Sequence, residues 1–130
     1  MNGAGPLSLL VVDDEVAFAE VVREAASRNG FAVAVAHNGV DARLRYTEFQ
    51  PDVIVLDIVM PEADGIEFIE WLGTQGATAR LLVVTGYNPS YAKLAERLAE
   101  ARGLSSVSVL TKPVRIATLL TALRGDSGAR

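Results

Sequence analysis

Asp13-Asp14-Glu15, Asp57 and Thr85-Gly86 each follow directly on a short apolar run of the chain, and Lys112-Pro113 follows another after one intervening residue, Thr111. If those runs are strands of one parallel sheet, their carboxyl ends share an edge, and carboxylates, a hydroxyl and an ammonium converge there. Carboxylates that close cannot all stay ionised without a counter-charge. A hard divalent cation supplies one, and magnesium suits a site of a few carboxylates, waters and phosphate oxygens. A lysine and a threonine beside such a cation make a place for a phosphoryl group, the ammonium neutralising its oxygens and the hydroxyl donating a hydrogen bond. One carboxylate can then attack phosphorus and hold the group as an aspartyl phosphate. Position in the strand order selects Asp57, on a central third strand between the acidic side and the threonine/lysine side.

The elements that must position these groups are visible as alternating blocks. Leu7–Val12, Ala32–Ala36, Val53–Leu56, Leu81–Val84 and Val107–Leu110 are apolar runs of strand length, three of them nearly continuous in Leu, Val and Ile. Such runs fit strands covered on both faces. The stretches between them have helical spacing. Phe18, Val21, Val22 and Ala25 make the apolar face of the first. Asn38 caps the second, with Asp41 in its first turn and Leu44 on the buried side. Asp64 and Glu67 form a capping box before Phe68, Ile69 and Leu72 of the third, where Trp71 is expected to be partly buried. Asn88-Pro89 opens the fourth, whose stripe is Leu94, Leu98 and Ala101 and whose end is Gly103. Ile116, Leu119, Leu120 and Leu123 line the fifth. Five strand–helix units predict an α/β fold, a doubly wound parallel sheet with helices on both faces. The flavodoxin-like strand order 2-1-3-4-5 accommodates all five.

A chain of 130 residues, half of them hydrophobic, can build one core. We expect a single domain over 1–130, with its core at about 7–124 and flexible ends at 1–6 and 125–130. The absence of cysteine excludes disulfides, thiol nucleophiles and cysteine-bound zinc. A net charge of −4 speaks against direct nucleic-acid binding. Leu9–Val12 and Leu81–Val84 are too short to span a membrane, and Met1–Pro6 lacks the blocks of a signal peptide, so the expected location is the cytoplasm.

The pair Asp13-Asp14, the segment Asp57-Ile58-Val59-Met60-Pro61 with Asp64-Gly65, then Thr85-Gly86 and Lys112-Pro113, resemble the receiver domains of two-component signalling over roughly Leu7 to Leu123. The resemblance implies a signalling module rather than an enzyme. Asp57 would be the phosphoacceptor. Asp14 would ligate Mg²⁺ directly, Asp13 largely through water, and the Val59 carbonyl would complete the protein's share of the shell. Thr85 and Lys112 would hold the phosphoryl oxygens, and a cis peptide would join Lys112 to Pro113. The donor would be a phosphohistidine of a histidine kinase or a histidine phosphotransfer protein, with an output partner that the sequence does not name.

Two features depart from the family pattern. Val109 stands three positions before the lysine, where receivers commonly carry an aromatic switch residue. The stretch from Thr85 to Lys112 is longer than usual by roughly a helical turn, similar to a subgroup with an extended fourth helix, some attached to cyclic-di-GMP phosphodiesterase domains. The chain is thus expected to be either a stand-alone receiver or a piece of a larger protein.

Competing functions fit less well. A flavin phosphate would be repelled by Asp13-Asp14-Glu15. An aspartate-nucleophile phosphatase would want an acid at Val59. A degenerate receiver that only binds partners would not need the full set Asp13, Asp14, Asp57, Thr85 and Lys112. His37 reads as a surface residue with no part in phosphotransfer, and Glu96-Arg97 with Glu100 and Arg102 as a solvated helix face. Tyr87 and Tyr91 flank the start of the fourth helix, where they could meet a partner.

Overall fold

Successive residues of a strand face opposite ways, so a strand apolar at every position needs cover on both sides. The chain answers this with ten alternating elements, seen in a computed structural model that describes residues 7–60, 64–86, 89–104 and 106–125. They are β1 (Ser8–Val12), α1 (Val16–Arg28), β2 (Ala32–Ala36), α2 (Gly39–Phe49), β3 (Val53–Asp57), α3 (Asp64–Thr74), β4 (Arg80–Thr85), α4 (Pro89–Ala101), β5 (Val107–Thr111) and α5 (Ile116–Arg124). The strands form one parallel sheet in the order β2-β1-β3-β4-β5, as expected. Leu10 pairs with Ala34 on one side and Ile54 on the other, and Leu56 pairs with Val83.

The sheet separates two apolar layers. Leu10, Val12, Ile54, Leu56, Leu81 and Val83 point toward α2, α3 and α4, where Phe68, Ile69 and Leu72 meet them. Leu9, Val11, Val53, Val55, Leu82 and Val84 point toward α1 and α5, against Val22, Leu119 and Leu123.

Helix ends follow local chemistry. The Asn38 side chain accepts from Asp41 N–H at 2.8 Å, so the expected cap of α2 is formed. Gly103, at φ +93°, ends α4, and Leu104 N–H returns to Ala99 C=O. The α3 capping box and the Asn88 cap involve the side chain of Asp64 and residue 88, which lie outside the described residues.

The helix faces differ from the sequence expectation in one consistent way. Val21, Leu44 and Leu94 are about half exposed, and Ala101 is exposed as well. The inward positions are Ala19, Val22 and Ala26 of α1, Gly39 and Ala42 of α2, and Ala92, Ala95 and Ala99 of α4. Small residues let a helix backbone approach the sheet closely. The larger apolar side chains one or two positions away are thereby rotated toward solvent.

Candidate functional site at the strand ends

Three strands run one residue further than their apolar runs, so Asp57 and Thr85 are the last residues of β3 and β4. Asp13 and Lys112 are the first residues past β1 and β5. Both continue the ladder: Asp13 N–H donates to Ala36 C=O at 3.0 Å, and Lys112 N–H to Thr85 C=O at 2.8 Å. Backbone pairing therefore fixes where these side chains begin. Lys112-Pro113 is a cis peptide, as the resemblance implied.

Asp13, Asp57 and Thr85 are the buried polar side chains among the described residues, at 1%, 6% and 2% exposure. A core tolerates such groups only when they are paired or functional. Asp13 is pinned from two directions, accepting from Glu15 N–H at 2.8 Å and from Lys112 Nζ at 3.1 Å. Asp57 accepts from Val59 N–H at 2.9 Å, and its other oxygen lies 3.5 Å from Lys112 Nζ. Asp14 is exposed, yet one carboxylate oxygen from each of Asp13, Asp14 and Asp57 can be grouped within 4.8 Å. The buried Thr85 hydroxyl has no hydrogen-bond partner among the described residues. A buried hydroxyl of this kind can donate to an acceptor oxygen brought to the strand ends.

Electrostatics single out Asp57. Burial, reinforced by the charge and proximity of Asp13, outweighs the Val59 N–H and the Lys112 charge and pushes its carboxyl up to about 6. For Lys112, burial alone would lower the ammonium, but hydrogen bonds to Asp13 and Glu15 and the charges of Asp57 and Asp13 win and raise it. The ammonium also lies 4.4 Å from the centroid of the Phe18 ring. A cleft of about 230 Å³ opens above, lined by Asp14, Glu15, Asp57, Val59, Gly86 and Lys112. The backbone following Asp57 is held tightly: a Cβ on Gly65 would come within 2.8 Å of Ile58 Cα and O, so α3 begins in close contact with it.

The profile of the response regulator receiver domain family matches residues 9–124. The chain belongs to that family. Among curated relatives, the response regulator MprA of Mycobacterium avium is 36% identical over 120 residues, covering 91% of this receiver and 50% of the relative. The receiver thus spans about half the length of the curated relatives it matches. Among solved structures, the chemotaxis protein CheY4 of Vibrio cholerae superposes with a TM-score of 0.81 at 26% identity, over 93% of this receiver and 98% of that chain. The receiver domain of a response regulator from Bermanella marisrubri gives 0.75 at 30% identity, over 93% and 98%.

All six residues singled out from the sequence fall at this end of the receiver's sheet. Asp13, Asp14, Asp57, Thr85 and Lys112 contribute side chains, and Val59 contributes backbone and lines the cleft. Val109 is half-buried against the α2–α4 layer. Three contacts went unread in the sequence. The Glu15 carboxylate reaches Lys112 Nζ at 3.1 Å. Phe18 was read as core, although its position four residues after Asp14, on the first turn of α1, could have placed it beside the strand ends. His37 is half-buried, and its Nδ1 lies 3.0 Å from the carbonyl oxygen of Asp13. A carbonyl can only accept, so Nδ1 carries the hydrogen there. Among the described residues, no helix is long and apolar enough to cross a membrane.

Proposed function

We propose that this receiver accepts a phosphoryl group on Asp57 from a phosphohistidine of a histidine kinase or a histidine phosphotransfer protein in the cytoplasm, and that the resulting charge changes its contacts with an output partner. The observation that carries the reading is the meeting of three carboxylates, one ammonium and an orphaned hydroxyl at one strand edge. The donor set is all oxygen, with a cleft open to water above it, and it fits Mg²⁺. Asp13, Asp14, Asp57 and the Val59 carbonyl would hold the ion, which when bound supplies positive charge to offset that of the carboxylates and the phosphoryl oxygens.

The chain's own groups have separable tasks. An Asp57 oxygen forms the new P–O bond as the donor's P–N bond breaks, and the electron pair of that bond leaves with the imidazole nitrogen. Val59 N–H holds the non-attacking oxygen and so orients the carboxylate. Lys112 Nζ is already within reach of Asp57 and can pair with phosphoryl oxygens. Thr85 Oγ1, without a partner among the described residues, can donate to one of them. The new group carries about two negative charges and several strong acceptors, which is what moves Thr85 and Lys112.

Incubation with acetyl phosphate and Mg²⁺, followed by intact-mass measurement, tests this. One phosphoryl group should be gained, the gain should require Mg²⁺, and it should vanish in Asp57→Asn. Labelling that persists in that variant overturns the assignment of the acceptor.

A further inference from the structure

Three N–H groups of the Lys112 ammonium face three carboxylates. Asp13 Oδ2 and Glu15 Oε1 lie at 3.1 Å, and Asp57 Oδ2 at 3.5 Å. The ammonium is thus saturated before any phosphoryl group arrives, and its longest contact is the one to the acceptor. The Phe18 ring limits its movement from another side. To pair with phosphoryl oxygens, Lys112 must release a partner. Asp13 is buried and tied to the Glu15 backbone, whereas the Glu15 side chain is 61% exposed and can return to water at little cost.

A second observation is that Glu15 makes this contact in place of a local one. Glu15 is the N-cap residue of α1, with extended backbone at φ −85° and ψ 98°, yet its side chain makes no capping hydrogen bond. A carboxylate at a helix N-terminus is favoured by both the free N–H groups and the dipole. Here it turns to Lys112 instead.

We infer that Glu15 is a positioning residue for phosphoryl capture: its carboxylate competes for the Lys112 ammonium in the resting receiver, and release of that contact sets how strongly Lys112 holds a phosphoryl group. The inference rests on the proposed role of Asp57. It predicts that neutralising Glu15 strengthens phosphoryl binding through Lys112, and not merely by removing a nearby negative charge.

The test is a mutant cycle on the full chain, with beryllofluoride as the phosphoryl mimic and Mg²⁺ saturating. Affinity is measured by calorimetry for the wild type, Glu15→Gln, Lys112→Ala and the double variant. Glu15→Gln should bind about two- to fivefold more tightly, the scale of a largely solvated ion pair. The gain should be absent when Lys112 is alanine. In the free protein, the Lys112 side-chain ¹⁵Nζ resonance should move on Glu15→Gln. An equal gain in both backgrounds would assign the effect to bulk charge and overturn the inference, as would an unmoved Nζ resonance or no gain at all. A wild-type protein that takes up no beryllofluoride overturns instead the acceptor reading on which the inference stands.

Discussion

Asp57→Asn should make the cation-free protein more stable, by an amount that depends on pH. In the unfolded chain the carboxyl titrates at its ordinary value of 3.8, whereas burial raises it to about 6 in the folded protein. Below pH 3.8 both states hold the proton and the site costs nothing. Between pH 3.8 and about 6 the unfolded chain gives up the proton that the folded protein still holds, so stability falls across that interval and the full cost stands once the folded carboxyl has ionised. The interval from 3.8 to about 6, at roughly 1.4 kcal/mol per tenfold change in proton affinity, amounts to about 3 kcal/mol at pH 8. Asparagine keeps an oxygen for Val59 N–H and carries no charge at any pH, so it escapes that loss. For a domain of 130 residues the difference is about 10 °C in melting temperature. Urea titrations in EDTA, followed by the fluorescence of Trp71 at pH 4.5, 6 and 8, read it directly. The variant should gain about 2–3 kcal/mol at pH 8 and only about 1 kcal/mol at pH 4.5, and saturating Mg²⁺ should narrow the gap by stabilising the wild type. A gap of the same size at every pH, or none at pH 8, would refute the reasoning.

Two further outcomes follow from the surroundings of the site. Gly65→Ala should destabilise by about 1–3 kcal/mol, because its Cβ would meet Ile58 backbone at 2.8 Å; an unchanged urea midpoint would mean that α3 can retreat. Val59→Asn should shorten the lifetime of the phosphorylated form, because Val59 lines the cleft and an amide there can hold an attacking water where valine cannot; an unchanged or slower loss of the phosphoryl mass would count against it.

The framework of the fold was legible because its signals are repeated. Apolar runs of strand length recur with helical stretches between them, and a continuous run such as Val53–Leu56 fits only a strand covered on both faces. The site was legible for the same reason, since each reactive residue stands at a run's end. What escaped was finer than periodicity. Leu44 and Leu94 carry the greater apolar area, yet Ala42 and Ala95 face inward, because the spacing between helix and sheet is decided jointly by all the elements of a layer. The ladder also extends through Asp57 and Thr85, whose polarity suggested that the strands had already ended. Glu15 read only as part of the acidic run after the first strand, and only the folded chain brings Lys112, 97 residues away, within hydrogen-bonding distance.

The sheet has a consequence beyond support. Leu10 and Val11 are adjacent in the chain but fill different layers, and the same alternation runs through Ile54 and Val55, Leu81 and Leu82. Substitutions on opposite sides share no partners, so their effects on stability should simply add. The interior can therefore drift as two separate compartments, each repacking without consulting the other. The residues at the strand ends have no such freedom. Asp57 and Thr85 close strands whose side chains line both compartments, and every revision of either core must leave that shared rim in place.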